Sequence, residues 1–251
     1  MIIAIANQKG GVGKTTTAVN LAASIAAAEH SCLLVDCDPQ GNATTGMGFE
    51  RSGLSFGTYD LLFDDSPPEE AVMGTYLPTL GVIPADERLI GAEVEIASVP
   101  GREFRLKKAL ERLNSSYEFI LLDCPPSLGY LTVNAMTASS GVLVPLQCEY
   151  YALEGLSQLL RTVKAIKKGL NPELGLQGIL LTMYDKRNNL SDQVAREVRS
   201  HFSHYVYDTV IPRNVRLSEA PSHGKPVILY DIRSSGAQSY LALAREIISR
   251  R

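Results

Sequence analysis

The stretch Lys9-Gly10-Gly11-Val12-Gly13-Lys14-Thr15-Thr16 decides the fold. It follows a short aliphatic run, Ile2–Ala6, and leads into Ala18–Ala28, whose apolar residues recur at helical spacing. Strand, glycine turn and helix form the setting in which a backbone loop cradles phosphate. Successive N–H groups point inward, and the helix amino end adds partial positive charge. Lys14 then reaches the terminal phosphates and Thr15 offers its hydroxyl to Mg²⁺. The ordinary phosphate loop, Gly-x-x-x-x-Gly-Lys-[Ser/Thr], would place its first glycine where Gln8 stands, and a second lysine, Lys9, opens the loop instead.

Outward from this loop, short apolar runs alternate with helical patterns. Residues 2–6, 32–35, 81–84, 119–122, 141–145, 178–182 and 205–211 read as strands, most of them near-continuous aliphatics suited to a parallel sheet covered on both faces. Residues 15–28, 102–114, 129–139, 152–168, 191–201 and 236–249 read as helices. The alternation predicts an α/β fold with a doubly wound, mostly parallel sheet flanked by helices, and ligands at the carboxyl ends of its strands. Residues 1–251 are expected to form one domain, since no repeat or long linker interrupts them. Ser66-Pro67-Pro68-Glu69-Glu70 predicts a surface loop entering a short helix.

Two strands end in acids. The second runs Leu33-Leu34-Val35-Asp36-Cys37-Asp38-Pro39-Gln40-Gly41-Asn42. A carboxylate held beside a terminal phosphate can orient or activate an attacking water, although Asp38-Pro39 would also open an ordinary turn. The other, Phe119-Ile120-Leu121-Leu122-Asp123, would bury itself and deliver Asp123 to a metal's outer shell.

Composition is ordinary for a globular chain, with 45% hydrophobic and 20% charged residues. No apolar run approaches the ~18 residues needed to span a bilayer. The start reads as a first strand rather than a secretion signal. Cys32, Cys37, Cys124 and Cys148 show no Cys-x-x-Cys pair; they read as scattered thiols of a reducing cytosol, with a metal centre shared across a dimer as the alternative. The formal charge of −3 hides an asymmetry: residues 1–150 carry 9 Lys and Arg against 18 Asp and Glu, and residues 151–251 carry 15 against 9. A basic face within an acidic protein suits a nucleic-acid partner, and a solvated mixed surface gives a similar count.

The loop with its extra lysine resembles the deviant Walker-A family, which holds the chromosome and plasmid partition ATPases of the ParA/Soj type, the MinD division-site selectors, the nitrogenase iron protein and the arsenite-pump ATPases. The resemblance implies that Lys9 crosses a dimer interface to the partner's nucleotide. It also implies that Asp36-Cys37-Asp38-Pro39-Gln40-Gly41-Asn42 is switch I, with Asp38 at the attacking water and Asp36 near Mg²⁺, and that Pro125-Pro126-Ser127 is switch II. Gln147–Gly155 and Ile211–Pro226 resemble the corresponding blocks of the Soj-like branch, so the likeness spans essentially the whole chain. In that branch Lys9–Thr16 and the loops near Thr182–Asp185 and Pro212–Asn214 hold ATP, with Pro212 and Asn214 against the base.

The same resemblance implies an ATP- and Mg²⁺-dependent ATPase of the cytoplasm and nucleoid. ATP closes a sandwich homodimer, the dimer binds double-stranded DNA without sequence preference, and a ParB/Spo0J-like partner triggers hydrolysis and release. Arg187, Arg213, Arg216 and Lys225 are the candidate DNA contacts, with Lys164, Lys167 and Lys168 as outsiders; each also reads as an ordinary solvated cation. A helix-turn-helix ahead of the loop is not expected, nor is stable membrane association. The nitrogenase branch lacks its cluster-ligand segments here, and an arsenite pump would be about twice as long. The MinD-like, membrane-cycling alternative rests on the amphipathic last helix and Arg250-Arg251, and a protein-cargo positioning ATPase shares all the chemistry.

Overall fold

The computed structural model describes residues 1–64 and 66–250; Asp65 and Arg251, the latter part of the terminal arginine pair noted above, lie outside the described residues. Among the described residues seven strands form one sheet: β1 (Ile2–Ile5), β2 (Cys32–Asp36), β3 (Met73–Gly74), β4 (Leu80–Ile83), β5 (Phe119–Asp123), β6 (Gly141–Gln147) and β7 (Gly175–Thr182), in the order β3-β4-β2-β5-β1-β6-β7. All neighbours are parallel except β3, which runs antiparallel to β4 at the edge. The helices are α1 (Lys14–Ala27), α2 (Asn42–Gly46), α3 (Thr58–Phe63), α4 (Leu89–Glu95), α5 (Arg105–Leu113), α6 (Tyr130–Ala138), α7 (Ala152–Gly169), α8 (Asn189–His201), α9 (Val215–Glu219), α10 (Val227–Tyr230) and α11 (Ser235–Ser249).

Both faces of the sheet are covered, and this is why its central strands read as unbroken aliphatic runs. Successive side chains alternate between faces. Ala4, Leu33, Val35, Ile120, Leu122 and Val142 pack with Leu106, Leu131, Leu156 and Val198 of α5 to α8. Ile3, Ile5, Leu34, Leu121 and Leu143 pack with Leu21 and Ile25 of α1 and with Tyr240, Leu243 and Ile247 of α11.

The apolar stripe of α11 is therefore committed. Tyr240, Leu243, Ala244 and Ile247 are at most 1% exposed, and the Tyr240 hydroxyl shares a 3.2 Å hydrogen bond with Thr17 of α1. At about 2 kcal/mol per buried large side chain, withdrawing that stripe would cost a substantial part of a domain's net stability. Among the described residues, no helix is long and apolar enough to cross a membrane.

The proline-rich segment enters a short 3₁₀ turn over Pro68–Ala71, as its composition predicts. Residues 205–211 depart from expectation. They form no strand: one isolated parallel bridge joins Val206 to Ile179 of β7, and a second, between Tyr184 and Pro212, lies just beyond both segments. The reason is local. Tyr207 and Ile211 donate to β7 carbonyls, but the N–H groups of Asp208 and Thr209 turn away to the Glu246 carboxylate of α11, at 2.9 and 3.1 Å. A side chain of α11 thus captures donors that a continuous ladder would need. The seventh strand of the sheet is instead the two-residue β3.

Sheet register sets up the site. Ile5 and Asp36 both stand opposite Asp123, so β1, β2 and β5 end level, and the loops leaving all three converge at one carboxyl edge.

Candidate active site

The loop between β1 and α1 has Gly11 at φ +75° and Gly13 at φ +91°, in the left-handed region that side chains other than glycine adopt only at a cost. A Cβ on Gly10 or Gly11 would meet nothing within 4 Å, so the loop backbone stays open to a ligand. Its ends are pinned. Asn7 donates from its side chain to Pro145 O at 2.8 Å and accepts Lys9 N at 3.0 Å, and Thr182 donates to Val12 O at 2.8 Å.

Lys14 begins α1 with its side chain mostly buried, and its ammonium donates to Lys9 O at 3.0 Å. Burial lowers its pKa, and the carboxylates of Asp123 and Asp38 oppose that shift. Lys9 is half-exposed and ion-pairs with Glu149, in the turn after β6 beside the exposed Tyr150 and Tyr151.

The two strand-end acids have different surroundings. Asp36 is fully buried and accepts from Thr44 N (2.8 Å), Thr44 Oγ1 (2.7 Å) and Asp38 N (3.2 Å). Its carboxylate thus ties the turn that begins at Asp38 to α2. Burial outweighs those bonds and pushes its pKa up to about 6. Asp123 is also fully buried, yet neither oxygen has a hydrogen-bond partner. Burial, then the neighbouring Asp36, raise its pKa well above the usual range, and the Thr15 hydroxyl and Lys14 work against them. Two unpartnered carboxylate oxygens beside a threonine hydroxyl are hard-oxygen donors suited to Mg²⁺. Asp38 is 6% exposed and accepts Gln40 N at 2.9 Å, which closes the turn that carries it.

Gly10, Gly11, Gly13, Lys14, Thr15, Thr16, Asp38 and Gln40 line a cavity of about 470 Å³, together with Pro126 of the loop after β5. A neighbouring cavity of about 340 Å³ opens beside Gly13 and Thr16 and is walled by Thr182, Met183, Pro212, Arg213, Asn214 and Tyr240. Asn214 caps α9 by accepting Arg216 N and donates to Ser235 Oγ at 2.7 Å, so its side chain is held by the protein itself.

The basic candidates separate into different places. Arg187 and Arg213 share one groove with Lys186 and Pro212. Arg216 sits on α9, paired with Glu219 at 2.8 Å and Asp231 at 3.3 Å. Lys225 lines the phosphate-loop cavity instead. Lys164, Lys167 and Lys168 lie on α7, which covers the opposite face of the sheet from α9. Sequence reading did not pick out Glu149 as the partner of Lys9 or Thr44 as the partner of Asp36. Neither belongs to a spacing pattern, and only the fold brings them together.

The chain also matches known proteins. A family model described as an AAA domain matches residues 1–176. Over 251 residues the chain is 57% identical to the chromosome partitioning protein ParA of Caulobacter vibrioides, covering 99% of this chain and 94% of that one. It is 58% identical to the sporulation initiation inhibitor protein Soj of Bacillus subtilis, covering 98% and 97%. Among solved structures, cobyrinic acid a,c-diamide synthase of Mycobacterium smegmatis with bound ADP and magnesium superposes with a TM-score of 0.86 at 36% identity, covering 99% and 94%. With this identity over nearly its whole length, and with a phosphate loop and two strand-end acids meeting at one sheet edge, the chain belongs to the ParA/Soj family of chromosome-partitioning proteins.

Proposed function

We propose that this protein is a DNA-segregation ATPase, in which ATP drives a homodimer onto DNA and hydrolysis releases it. The observation that carries the reading is the convergence of Lys14, Thr15 and Asp38 on one cavity with Asp123 behind it. The 57–58% identity to partition proteins outweighs the 36% identity to a synthase.

The loop N–H groups and Lys14 hold the β- and γ-phosphates, and the cavity walled by Pro212 and Asn214 takes the base. Thr15 and Asp123 are the residues that would hold Mg²⁺, with Asp36 behind them; the ion would neutralise phosphate charge. Asp38 accepts a proton of the attacking water as the water oxygen bonds to the γ-phosphorus. The bond to the β–γ bridging oxygen breaks, and ADP and phosphate form. Lys9, once released from Glu149, supplies a cation to the partner subunit's phosphates, so that dimer closure and catalytic competence coincide.

Arg187, Arg213 and Arg216 supply phosphate contacts to duplex DNA without reading its sequence. Lys225 stands nearer the nucleotide. A ParB/Spo0J-like protein is the expected trigger of hydrolysis. A membrane-cycling role would need a free apolar face, and α11 has spent its own on α1.

Turnover of ATP with Mg²⁺, by the native protein and by Asp38→Ala, tests the enzymatic part. Slow hydrolysis lost in the variant is expected. Equal turnover in both would remove Asp38 from its role.

A further inference from the structure

Arg51 lies ten residues beyond the switch I turn, and its guanidinium is spent entirely on backbone carbonyls. It donates to Pro39 O at 2.7 Å and Gln40 O at 2.9 Å within the turn, and to Ala85 O at 3.2 Å and Asp86 O at 3.3 Å beyond the end of β4. No carboxylate pairs with it among the described residues, because the Asp86 carboxylate is taken by Arg88. The side chain crosses directly over Gly41, where an added Cβ would sit 2.3 Å from Arg51 Nε. Gly41 is at φ +64°, so glycine there serves both the backbone conformation and the close passage of the arginine.

We propose that Arg51 is a positioning residue that sets Asp38 for water activation, by fastening the Asp38–Gly41 turn to the end of β4 through its carbonyls. This rests on the reading of Asp38 given above.

The physics favours arginine for such a task. A planar fork with five donors can hold four carbonyls on two segments at once, whereas a lysine ammonium offers three donors from one point. Hydrogen bonds with an ionised partner are roughly twice as strong as neutral ones. The turn has a second fastening on its other side: Thr44 donates to Asp36 and accepts Ala85 N at 2.8 Å. Thr44 anchors α2, after the turn. Arg51 is the tie on the two carbonyls that directly follow Asp38. Without it the phosphate loop and the base cavity keep all their residues, so nucleotide binding should persist while the Asp38 carboxylate loses its fixed place. Misplacement of a reacting group by about 1 Å can cost on the order of 100-fold in rate.

The test compares Arg51→Ala, Arg51→Lys and Asp38→Ala in the full-length protein, with ATP–Mg²⁺ turnover, titration of a fluorescent ATP analogue and thermal melting. Arg51→Ala should lower kcat by roughly 10- to 100-fold with analogue affinity within about threefold of native, and Arg51→Lys should fall between. Free guanidinium at millimolar concentration should restore part of the Arg51→Ala rate and leave the native rate unchanged, a response that general loosening of the fold would not give. Unchanged kcat in Arg51→Ala, with turnover lost in Asp38→Ala, overturns the positioning role alone. Loss of analogue binding in step with kcat, without guanidinium rescue, also overturns it and makes Arg51 a structural residue. Turnover that survives in Asp38→Ala instead removes the reading on which the proposal stands.

Discussion

The Lys14 ammonium donates to the backbone carbonyl of Lys9 at 3.0 Å, so the two lysines of the phosphate loop are joined through the loop itself. The Lys9 ammonium pairs in turn with Glu149. Both cations are thus held by groups of the same chain, and under the proposed function a triphosphate has to win each of them away. For Lys14 the exchange is favourable, because a neutral carbonyl is replaced by an anion, which adds direct Coulomb attraction in a poorly solvated site.

Lys14→Ala should accordingly weaken ATP binding by on the order of 100-fold, about 2–3 kcal/mol, as expected for bonds to a charged group. The fold should not suffer, since the change removes a buried ammonium that burial already disfavours. Isothermal titration with ATP–Mg²⁺ and a melting curve measure the two effects separately. Native affinity would refute the phosphate-loop assignment.

The Lys9–Glu149 pair is partly exposed on both sides, at 48% and 32%, so it contributes only about 0.2–1 kcal/mol. Glu149→Gln should therefore free Lys9 cheaply, and because both subunits lose the pair, shift the ATP-driven dimer to protein concentrations up to roughly 30-fold lower. Lys9→Ala should bind ATP and fail to turn it over. Sedimentation of both variants with ATP gives the answer, and an unshifted dimer in Glu149→Gln would show that the pair is no restraint.

The buried acids give the nucleotide-free protein a defined pH response. Asp36 has its pKa raised to about 6 and Asp123 is raised well above the usual carboxylate range, both chiefly by burial. Between the unfolded value near 4 and the folded value, the native state keeps a proton that the unfolded chain has lost, so stability falls as pH rises through that window. For Asp36 the fall is on the order of 3 kcal/mol from pH 4 to pH 6. Asp123→Asn keeps the shape and removes a charge whose oxygens accept no bond. It should raise the melting temperature at pH 7.5, make the fall with pH less steep and abolish hydrolysis. Denaturation across pH 4.5 to 7.5 tests the sign; a destabilised Asn variant would contradict it.

Gly178→Ala probes the segment that replaced an expected strand. A Cβ there would lie 2.4 Å from the Tyr207 ring, and that ring is fully buried. Overpacking of this kind costs about 1–3 kcal/mol, so the melting temperature should drop with ATP affinity unchanged. An unaltered melting temperature would mean that Tyr207 is free to move.

Where local structure is set by immediate neighbours, the sequence was a sufficient guide. Lys9 to Thr16 between an aliphatic strand and a helix defines its own loop, and the aliphatic runs of β1, β2, β5 and β6 follow from a sheet covered on both faces. Roles set by distant partners were not legible. Nothing within 205–211 announces that Glu246 will draw off two of its amides. Two residues, Met73 and Gly74, are too few to show a strand's alternation. Glu149 meets Lys9 across 140 residues, and Arg51 reaches Ala85 across 34 while it holds the Pro39 and Gln40 carbonyls. Asp36 and Asp123 look alike as strand-end acids, and the bonds from Thr44 and Asp38 N distinguish the one that fastens the following turn from the one whose oxygens stay unpartnered.

The central claim is that ATP, held by this loop, turns the protein into a nonspecific DNA binder. Binding of the Asp38→Ala protein to unrelated duplex DNA, with ATP–Mg²⁺ and with ADP across a salt series, tests it most directly. The account predicts binding with ATP alone and a steep fall with salt, and it predicts that Arg216→Glu in the same background lowers affinity and flattens the salt slope by about one unit. Arg216 must exchange its contacts to Glu219 and Asp231 for DNA phosphate, but these are exposed pairs of small worth. A well-formed ATP dimer that ignores DNA at every salt concentration would contradict the account.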